Sequence, residues 1–87
     1  MVEKVVEVLN RAGIHARPAA LIVKVANQFS SQLYMEKDRM KINGKSIMGI
    51  ITLGAAYKSL ITISTEGADE EDAIAAIEKL FLNRFEE

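Results

Sequence analysis

The sequence contains no cysteine and no tryptophan, and only one proline and one histidine among its 87 residues. Without cysteine, the chain can form neither a disulfide framework nor a thiolate metal site. A single imidazole also argues against a transition-metal site built from protein ligands alone, because imidazole and thiolate are the ligands that such metals prefer. We therefore expect no bound metal and no cofactor.

Long apolar runs and an excess of charge of one sign are missing too. No stretch approaches the roughly 20 apolar residues that span a bilayer, and none resembles a signal peptide. Eleven basic and twelve acidic residues give a net charge of −1, whereas nucleic-acid binders carry a basic patch. An RNA-binding sheet is disfavoured as well, because Tyr34 is the only aromatic residue on the predicted strands. We expect a cytoplasmic protein that neither enters a membrane nor binds nucleic acid.

The size of the chain fits one small domain. Hydrophobic residues make up 49% of the sequence, which is enough for a packed core and argues against disorder. The sequence shows no internal repeat, linker or low-complexity segment. We predict a single domain over residues 1–87 that works as a monomer.

The stretch of residues 13–20, GIHARPAA, concentrates the chemistry of the chain. Pro18 is tolerated in the first turn of a helix, and residues 19–29 have a helical pattern, so His15 is predicted at a helix N-terminus. Free backbone N–H groups and the positive end of the helix macrodipole favour phosphate there. Arg17 adds a guanidinium. By itself, however, a lone histidine near a helix start is more often structural than functional.

Hydrophobic alternation and turn residues predict four strands, at 2–9, 32–37, 40–42 and 60–65. Asp38-Arg39 is a predicted hairpin turn, and Asn43-Gly44 ends the third strand. With three predicted helices the order is β-α-β-β-α-β-α. Helices on one face of a four-stranded antiparallel sheet, an α+β open-faced sandwich, is the natural architecture for this order.

Two of the three predicted helices are amphipathic. The apolar face of the first, at 19–29, is predicted from i, i+3, i+4, i+7 spacing to comprise Ile22, Val25, Ala26 and Phe29. Its opposite face is predicted to carry Arg17, Ala20, Leu21, Lys24, Asn27 and Gln28. The last helix is predicted to start at an Asp69 N-cap and to reach about Phe85.

The middle helix is predicted between Ser46, a favoured N-cap residue, and Gly54, a favoured stop. Its apolar residues surround the helix almost completely, so Ile47, Met48 and Ile51 are expected in part on the surface. An exposed apolar cluster on a small domain often marks a partner surface. Periodicity alone also permits a buried strand over residues 47–53.

Two motifs resemble the HPr family of phosphocarriers of the sugar phosphotransferase system. They are residues 13–20 and Lys45-Ser46-Ile47-Met48-Gly49, and residues 66–73, EGADEEDA, are typical of the family too. The resemblance runs the length of the chain. It implies a carrier and not a turnover enzyme, in which His15 accepts a phosphoryl group on Nδ1 from enzyme I and donates it to IIA units of sugar permeases.

The resemblance also implies roles for the neighbours of His15 and for Ser46. The N–H groups of Ala16 and Arg17 and the Arg17 guanidinium would stabilise the phosphate. Ser46 would be the target of HPr kinase/phosphorylase, and the serine-phosphorylated form binds a catabolite-control transcription factor in Gram-positive relatives. The expected docking surface for partners is Ala20, Leu21, Lys24, Ile47, Met48 and Ile51.

One position departs from the family pattern, and one alternative function stays open. The family often has a polar residue at position 12, where this chain has Ala12, so position 12 offers no side-chain hydrogen bond near His15. The alternative is a regulatory HPr-like protein that acts by protein binding outside sugar uptake. The Crh branch of the family lacks the active histidine, so His15 argues against that branch.

Overall fold

Four strands and three α-helices form from the residues described in the computed structural model, 1–86; Glu87, the last residue of the predicted domain, lies outside them. In chain order the elements are β1 (Val2–Glu7), α1 (Ala16–Ala26), β2 (Gln32–Lys37), β3 (Met40–Asn43), α2 (Ile47–Leu53), β4 (Leu60–Glu66) and α3 (Glu70–Leu82). The predicted order β-α-β-β-α-β-α is confirmed.

The sheet is antiparallel throughout, with the strand order β1-β4-β2-β3. On the central strands, Ile61 and Ile63 of β4 and Met35 of β2 are completely buried. The β2–β3 connection is the predicted Asp38-Arg39 turn. Both residues have a positive φ, 52° and 69°, because a two-residue hairpin loop must follow the twist of its strands.

The three helices cover one face of this sheet, which confirms the predicted α+β open-faced sandwich. α3 packs on β1 and β4, while α1 packs against both α2 and α3. Ile22 of α1, Ile50 of α2 and Ile77 of α3 are completely buried in the shared core. Since each helix buries one face against its neighbours, the core fixes the position of the start of α1 relative to α2.

The first helix differs from its predicted bounds of 19–29. It begins at Ala16, because Pro18 is accepted inside the first turn, and it ends at Ala26. The N–H groups of Gln28 and Phe29 donate to carbonyls three residues back, at 3.0 and 3.1 Å, so the chain tightens and leaves the α-helix. Leu21, predicted on the solvated face, is partly buried against the core.

The last helix ends at Leu82, before the predicted Phe85. Arg84 and Phe85 both have φ 54° and Glu86 has φ 62°, so the chain turns back after α3. This turn buries Phe85 against Phe81, with the ring centroids 4.9 Å apart in an edge-to-face arrangement. Burial of a whole aromatic side chain offsets the unfavourable backbone conformation.

Asp69 stands at the predicted N-cap position of α3, but its side chain does not cap the helix. The carboxylate instead accepts hydrogen bonds from the backbone N–H groups of Ser30 and Ser31, each at 2.9 Å, and from the Ser31 hydroxyl. The aspartate therefore fastens the α1–β2 connection to the start of α3. The Ser31 hydroxyl, followed by the backbone donors, lowers the pKa of Asp69 to about 2.

Acid should weaken this fastening. Because the folded-state pKa of Asp69 lies below its ordinary value, the stabilisation is complete above pH ~4 and is lost as the pH falls through about 2. Glu70 acts in the same direction, since the Gly67 N–H group, followed by the N-terminal ammonium, lowers its pKa. We expect Asp69→Asn to flatten the fall of unfolding free energy between pH 4 and 2, measured by urea denaturation.

The control for this prediction is Asp72→Asn, which removes an exposed carboxylate from the same first turn of α3. This variant should keep the wild-type slope of stability against pH. An Asp69→Asn variant with the wild-type slope would contradict the role assigned to the Asp69 carboxylate.

Candidate functional site

His15 is the N-cap residue of α1. Its backbone is extended, with φ −92° and ψ −163°, and its carbonyl accepts the N–H of Ala19 at 3.0 Å. The side chain does not cap the helix and is exposed. The predicted position of His15 at a helix N-terminus is thus confirmed, with the imidazole accessible from solvent.

Ala16 and Arg17, the first two residues of α1, are both exposed. The N–H groups in the first turn of a helix have no carbonyl partner within that helix. Pro18 follows as the third helical residue and has no N–H to offer. The backbone donors beside His15 are therefore those of Ala16 and Arg17, at the positive end of the helix macrodipole.

The loop before His15 is held by Asn10 and Ala55, which the sequence did not single out. The Asn10 side-chain amide donates to the Gly13 carbonyl at 2.6 Å, and the Gly13 N–H donates to the Asn10 carbonyl at 3.0 Å. The Ile14 N–H donates to the Ala55 carbonyl at 2.9 Å, and the Ile14 side chain is buried. These bonds fix the chain immediately before the imidazole.

Ala12 is exposed and supplies no side-chain hydrogen bond to this loop. The geometry of the loop depends instead on the buried Asn10, whose side chain spans position 12 and bonds to the Gly13 carbonyl. An asparagine three residues before a glycine is a recognisable turn signal that could have pointed to Asn10. No local signal points to Ala55, because it is 41 positions from Ile14 in the sequence.

Ser46 caps α2 as predicted. Its Oγ accepts the Gly49 N–H at 3.0 Å, and Gly54 ends the helix in the left-handed conformation with φ 64°. The alternative of a buried strand over residues 47–53 is wrong, since this segment is helical and only Ile50 and Leu53 are buried.

The predicted surface residues of α2 are exposed: Met48 by 71%, Ile47 by 42% and Ile51 by 40%. On α1, which packs against α2, Ala20 and Lys24 are exposed too. We call Ala20, Ile47, Met48 and Ile51 the apolar patch. Leu21, also expected on this surface, is partly buried against the core, so it contributes only a fraction of its side chain.

Loss of the Ser46 cap should destabilise the protein modestly. Ser46→Ala leaves the Gly49 N–H without its acceptor, and we expect the unfolding free energy to fall by about 1 kcal/mol. Thr52→Ala is the matched control in the same helix, because the Thr52 hydroxyl only donates to the carbonyl one turn back, on the exposed face. Denaturant unfolding should separate the two variants; equal stabilities would contradict the capping role.

Comparison with known proteins identifies the family. The family model described as the PTS HPr component phosphorylation site matches residues 2–83. The chain belongs to the HPr family. Its general role is therefore that of a phosphocarrier in the phosphotransferase system, a carrier and not a catalytic enzyme in itself.

The similar proteins include both HPr and HPr-like Crh proteins. The chain is 52% identical over 87 residues to the phosphocarrier protein HPr of Treponema pallidum, covering 100% of this chain and 99% of the relative. It is also 52% identical over 77 residues to the HPr-like protein Crh of Halalkalibacterium halodurans, covering 88% and 92%. The crystal structure of HPr-C-His from Thermoanaerobacter tengcongensis superposes with a TM-score of 0.96 at 49% identity, covering 100% and 98%.

Neither a membrane-spanning helix nor a metal cluster is present in the part of the chain that the structure describes. Within residues 1–86, no helix has both the length and the apolar character that a bilayer crossing needs. The same residues contain no group of three or more histidine, aspartate or glutamate side chains placed to hold a metal ion.

Proposed function

We propose that His15 accepts a phosphoryl group from phosphorylated enzyme I and donates it to the IIA units of sugar permeases. The observation that carries this proposal is the placement of an exposed imidazole at the N-cap of α1, beside the N–H groups of Ala16 and Arg17. Membership of the HPr family supports the same role.

The chemistry asks little of the protein beyond positioning and charge stabilisation. A bond forms between Nδ1 of the neutral His15 imidazole and phosphorus, while the bond from phosphorus to enzyme I breaks. The new negative charge meets the N–H groups of Ala16 and Arg17 and the Arg17 guanidinium, which form charge-assisted hydrogen bonds. Because His15, Ala16 and Arg17 are all exposed, water weakens these contacts, and the phosphoryl group stays transferable.

A reconstituted relay tests the carrier role. Phosphoenolpyruvate, enzyme I, the chain and a IIA protein are mixed, and the phosphorylation of IIA is followed with and without the chain. We expect IIA to be phosphorylated only when the chain is present. Relay activity with another HPr but none with this chain would contradict the proposal.

We propose that the apolar patch and Lys24 dock on both enzyme I and IIA. Met48→Glu should slow transfer at least about tenfold, because the charge must be desolvated in an apolar interface. Folding should be nearly unaffected, since the side chain is 71% exposed. Leu82→Glu is the control: Leu82 is 65% exposed at the end of α3, outside the patch. Equal transfer rates of the two variants in the relay would rule out docking through Met48.

We propose Ser46 as a regulatory phosphorylation site of HPr kinase/phosphorylase. A phosphate adds a charge of about −1.5 to −2, and Ser46 directly precedes the exposed Ile47 and Met48 of the apolar patch. Negative charge there would hinder docking and slow transfer through His15. ATP with the kinase should give an acid-stable phosphate that Ser46→Ala lacks; its persistence in that variant would exclude Ser46.

A purely regulatory role is the second candidate function, favoured by the 52% identity to a Crh protein. In that role the Ser46-phosphorylated chain would bind a catabolite-control transcription factor without carrying phosphoryl groups to sugars. The relay separates the two roles, because a regulatory protein would not support phosphorylation of IIA. In either role we propose a cytoplasmic monomer in which residues 1–87 form one domain.

A further inference from the structure

A cleft lies at the loop that leads to His15, and its lining includes none of the residues assigned to phosphoryl transfer. It has a volume of about 390 Å³ and is lined by Leu9, Asn10, Arg11, Ala12, Tyr57 and Arg84. This volume is in the range of sites that hold small molecules. Among residues 1–86, the lining contains two guanidinium groups and no carboxylate.

The positive charge at this cleft is concentrated around Tyr57. The Arg11 guanidinium is 5.8 Å from the centroid of the tyrosine ring, and the Lys58 ammonium is 5.5 Å from it. Within residues 1–86, no carboxylate forms an ion pair with Arg11, Lys58 or Arg84. The chain as a whole carries a net charge of −1, so this cationic concave surface is a local feature.

Arg84 reaches the cleft because of the turn after α3. Its φ of 54° is unfavourable for a residue with a side chain. The neighbouring Phe85 is buried against Phe81 and holds the turn in place. The fold thus fixes the backbone that carries Arg84, the second guanidinium of the cleft. None of the described lining residues is an acid that could neutralise its charge.

Asn10 adds a polar group with unmet hydrogen-bonding capacity. Its amide donates to Gly13, but its Oδ1 is buried and has no hydrogen-bond partner among the described residues. A buried acceptor without a donor is uncommon in folded proteins. Asn10 belongs to the cleft lining, but a buried acceptor offers an anion no hydrogen bond, so Asn10 shapes the cleft wall and the cations bind the ligand.

We propose that this cleft binds a compact polyanion, with one anionic group on Arg11 and another on Arg84. Guanidinium groups bind phosphate and carboxylate in the same two-pronged geometry, so the shared chemistry is that of a small molecule with two or more such groups. A ligand that depends on stacking is disfavoured, because the Tyr57 ring already contacts two cations. The site is separate from the phosphoryl acceptor at His15.

Pyrophosphate and citrate, titrated separately into the ¹⁵N-labelled full chain at constant ionic strength, distinguish phosphate from carboxylate ligands. We expect saturable amide shifts at residues 9–12, Tyr57 and Arg84 with at least one of them. Arg11→Gln and Arg84→Gln should each raise the dissociation constant about tenfold through loss of a charge-assisted contact. Lys37→Gln is the control, because Lys37 pairs with Asp38 at the β2–β3 turn and should leave binding unchanged.

Three results would overturn the proposal. The first is the absence of saturable shifts with either probe. The second is shifts confined to Ala16 and Arg17 at the start of α1. Wild-type affinity in both arginine variants would also exclude the cleft. Binding of pyrophosphate alone or of citrate alone supports the site and assigns its preferred anionic group.

Discussion

His15→Ala should abolish phosphoryl transfer through the chain, lowering the rate of IIA phosphorylation in the relay by at least about 10³-fold, to background. The imidazole is the proposed covalent acceptor, and neither Arg17 nor the first-turn N–H groups can replace a nucleophile. Stability should change by no more than about 0.5 kcal/mol, because the side chain is exposed and does not cap α1.

Ser46→Ala is the matched control for this experiment. It removes a polar side chain from the start of α2 but leaves His15, the proposed acceptor, in place. The variant should therefore retain transfer while losing some stability. A His15→Ala variant that still carried phosphoryl groups would require a different acceptor residue.

Gly13→Ala should lower the stability more than Ser46→Ala or Gly54→Ala does. Gly13 has φ 76°, and a Cβ there would lie 2.8 Å from the Ala55 carbonyl oxygen and 3.3 Å from the Ala56 Cα. The left-handed backbone alone costs about 1–2 kcal/mol for alanine. Since the backbone atoms of Ala55 and Ala56 can move aside only at a further cost in energy, we expect a total loss of about 2–4 kcal/mol in unfolding free energy. For a small domain this is a large share of the whole.

Gly54→Ala isolates the backbone contribution from the clash. Gly54 has a similar φ of 64°, but the nearest atom to its Cβ position is the Thr52 carbonyl oxygen at 3.8 Å. We expect this variant to lose about 1 kcal/mol. Urea unfolding of both variants should separate them clearly. Equal losses would mean that the contact between Gly13 and Ala55 does not constrain the loop before His15.

Gly13 and Asp69 show where reasoning from sequence stops. A turn at Gly13 and a helix start at Asp69 follow from local residue preferences, and both are present in the structure. The distant groups that they lie against do not follow. The Ala55 carbonyl, which would lie 2.8 Å from a Cβ on Gly13, and the Ser31 backbone, which donates to Asp69, are far away in the sequence. The local sequence pattern thus predicts where an element begins or ends. Only the packed fold determines which distant group the residue at that boundary contacts.

The segment 47–53 illustrates a different limit. Its apolar residues gave no periodicity that distinguishes a buried strand from a short helix. The flanking Ser46 and Gly54 favoured the helix, and both perform the predicted capping roles. Exposure was harder to predict: Ile47, Met48 and Ile51 were correctly expected on the surface, whereas Leu21 is turned partly into the core by the packing of α1.

The candidate site could be located from sequence because its chemistry is local. His15, Ala16 and Arg17 are consecutive, and Pro18 restricts where the helix can begin. The support beneath them is not local, which is why Asn10 and Ala55 were missed. The cleft at Arg11 and Arg84 was missed for the same reason, since the turn after α3 brings Arg84 to the distant loop that contains Arg11.

The role of His15 as the phosphoryl acceptor can be measured by the intact mass of the chain after incubation with phosphoenolpyruvate and enzyme I. We expect the gain of one phosphoryl group that mild acid removes and that His15→Ala never acquires. An unmodified wild-type chain, with an enzyme I that phosphorylates another HPr in parallel, would contradict it.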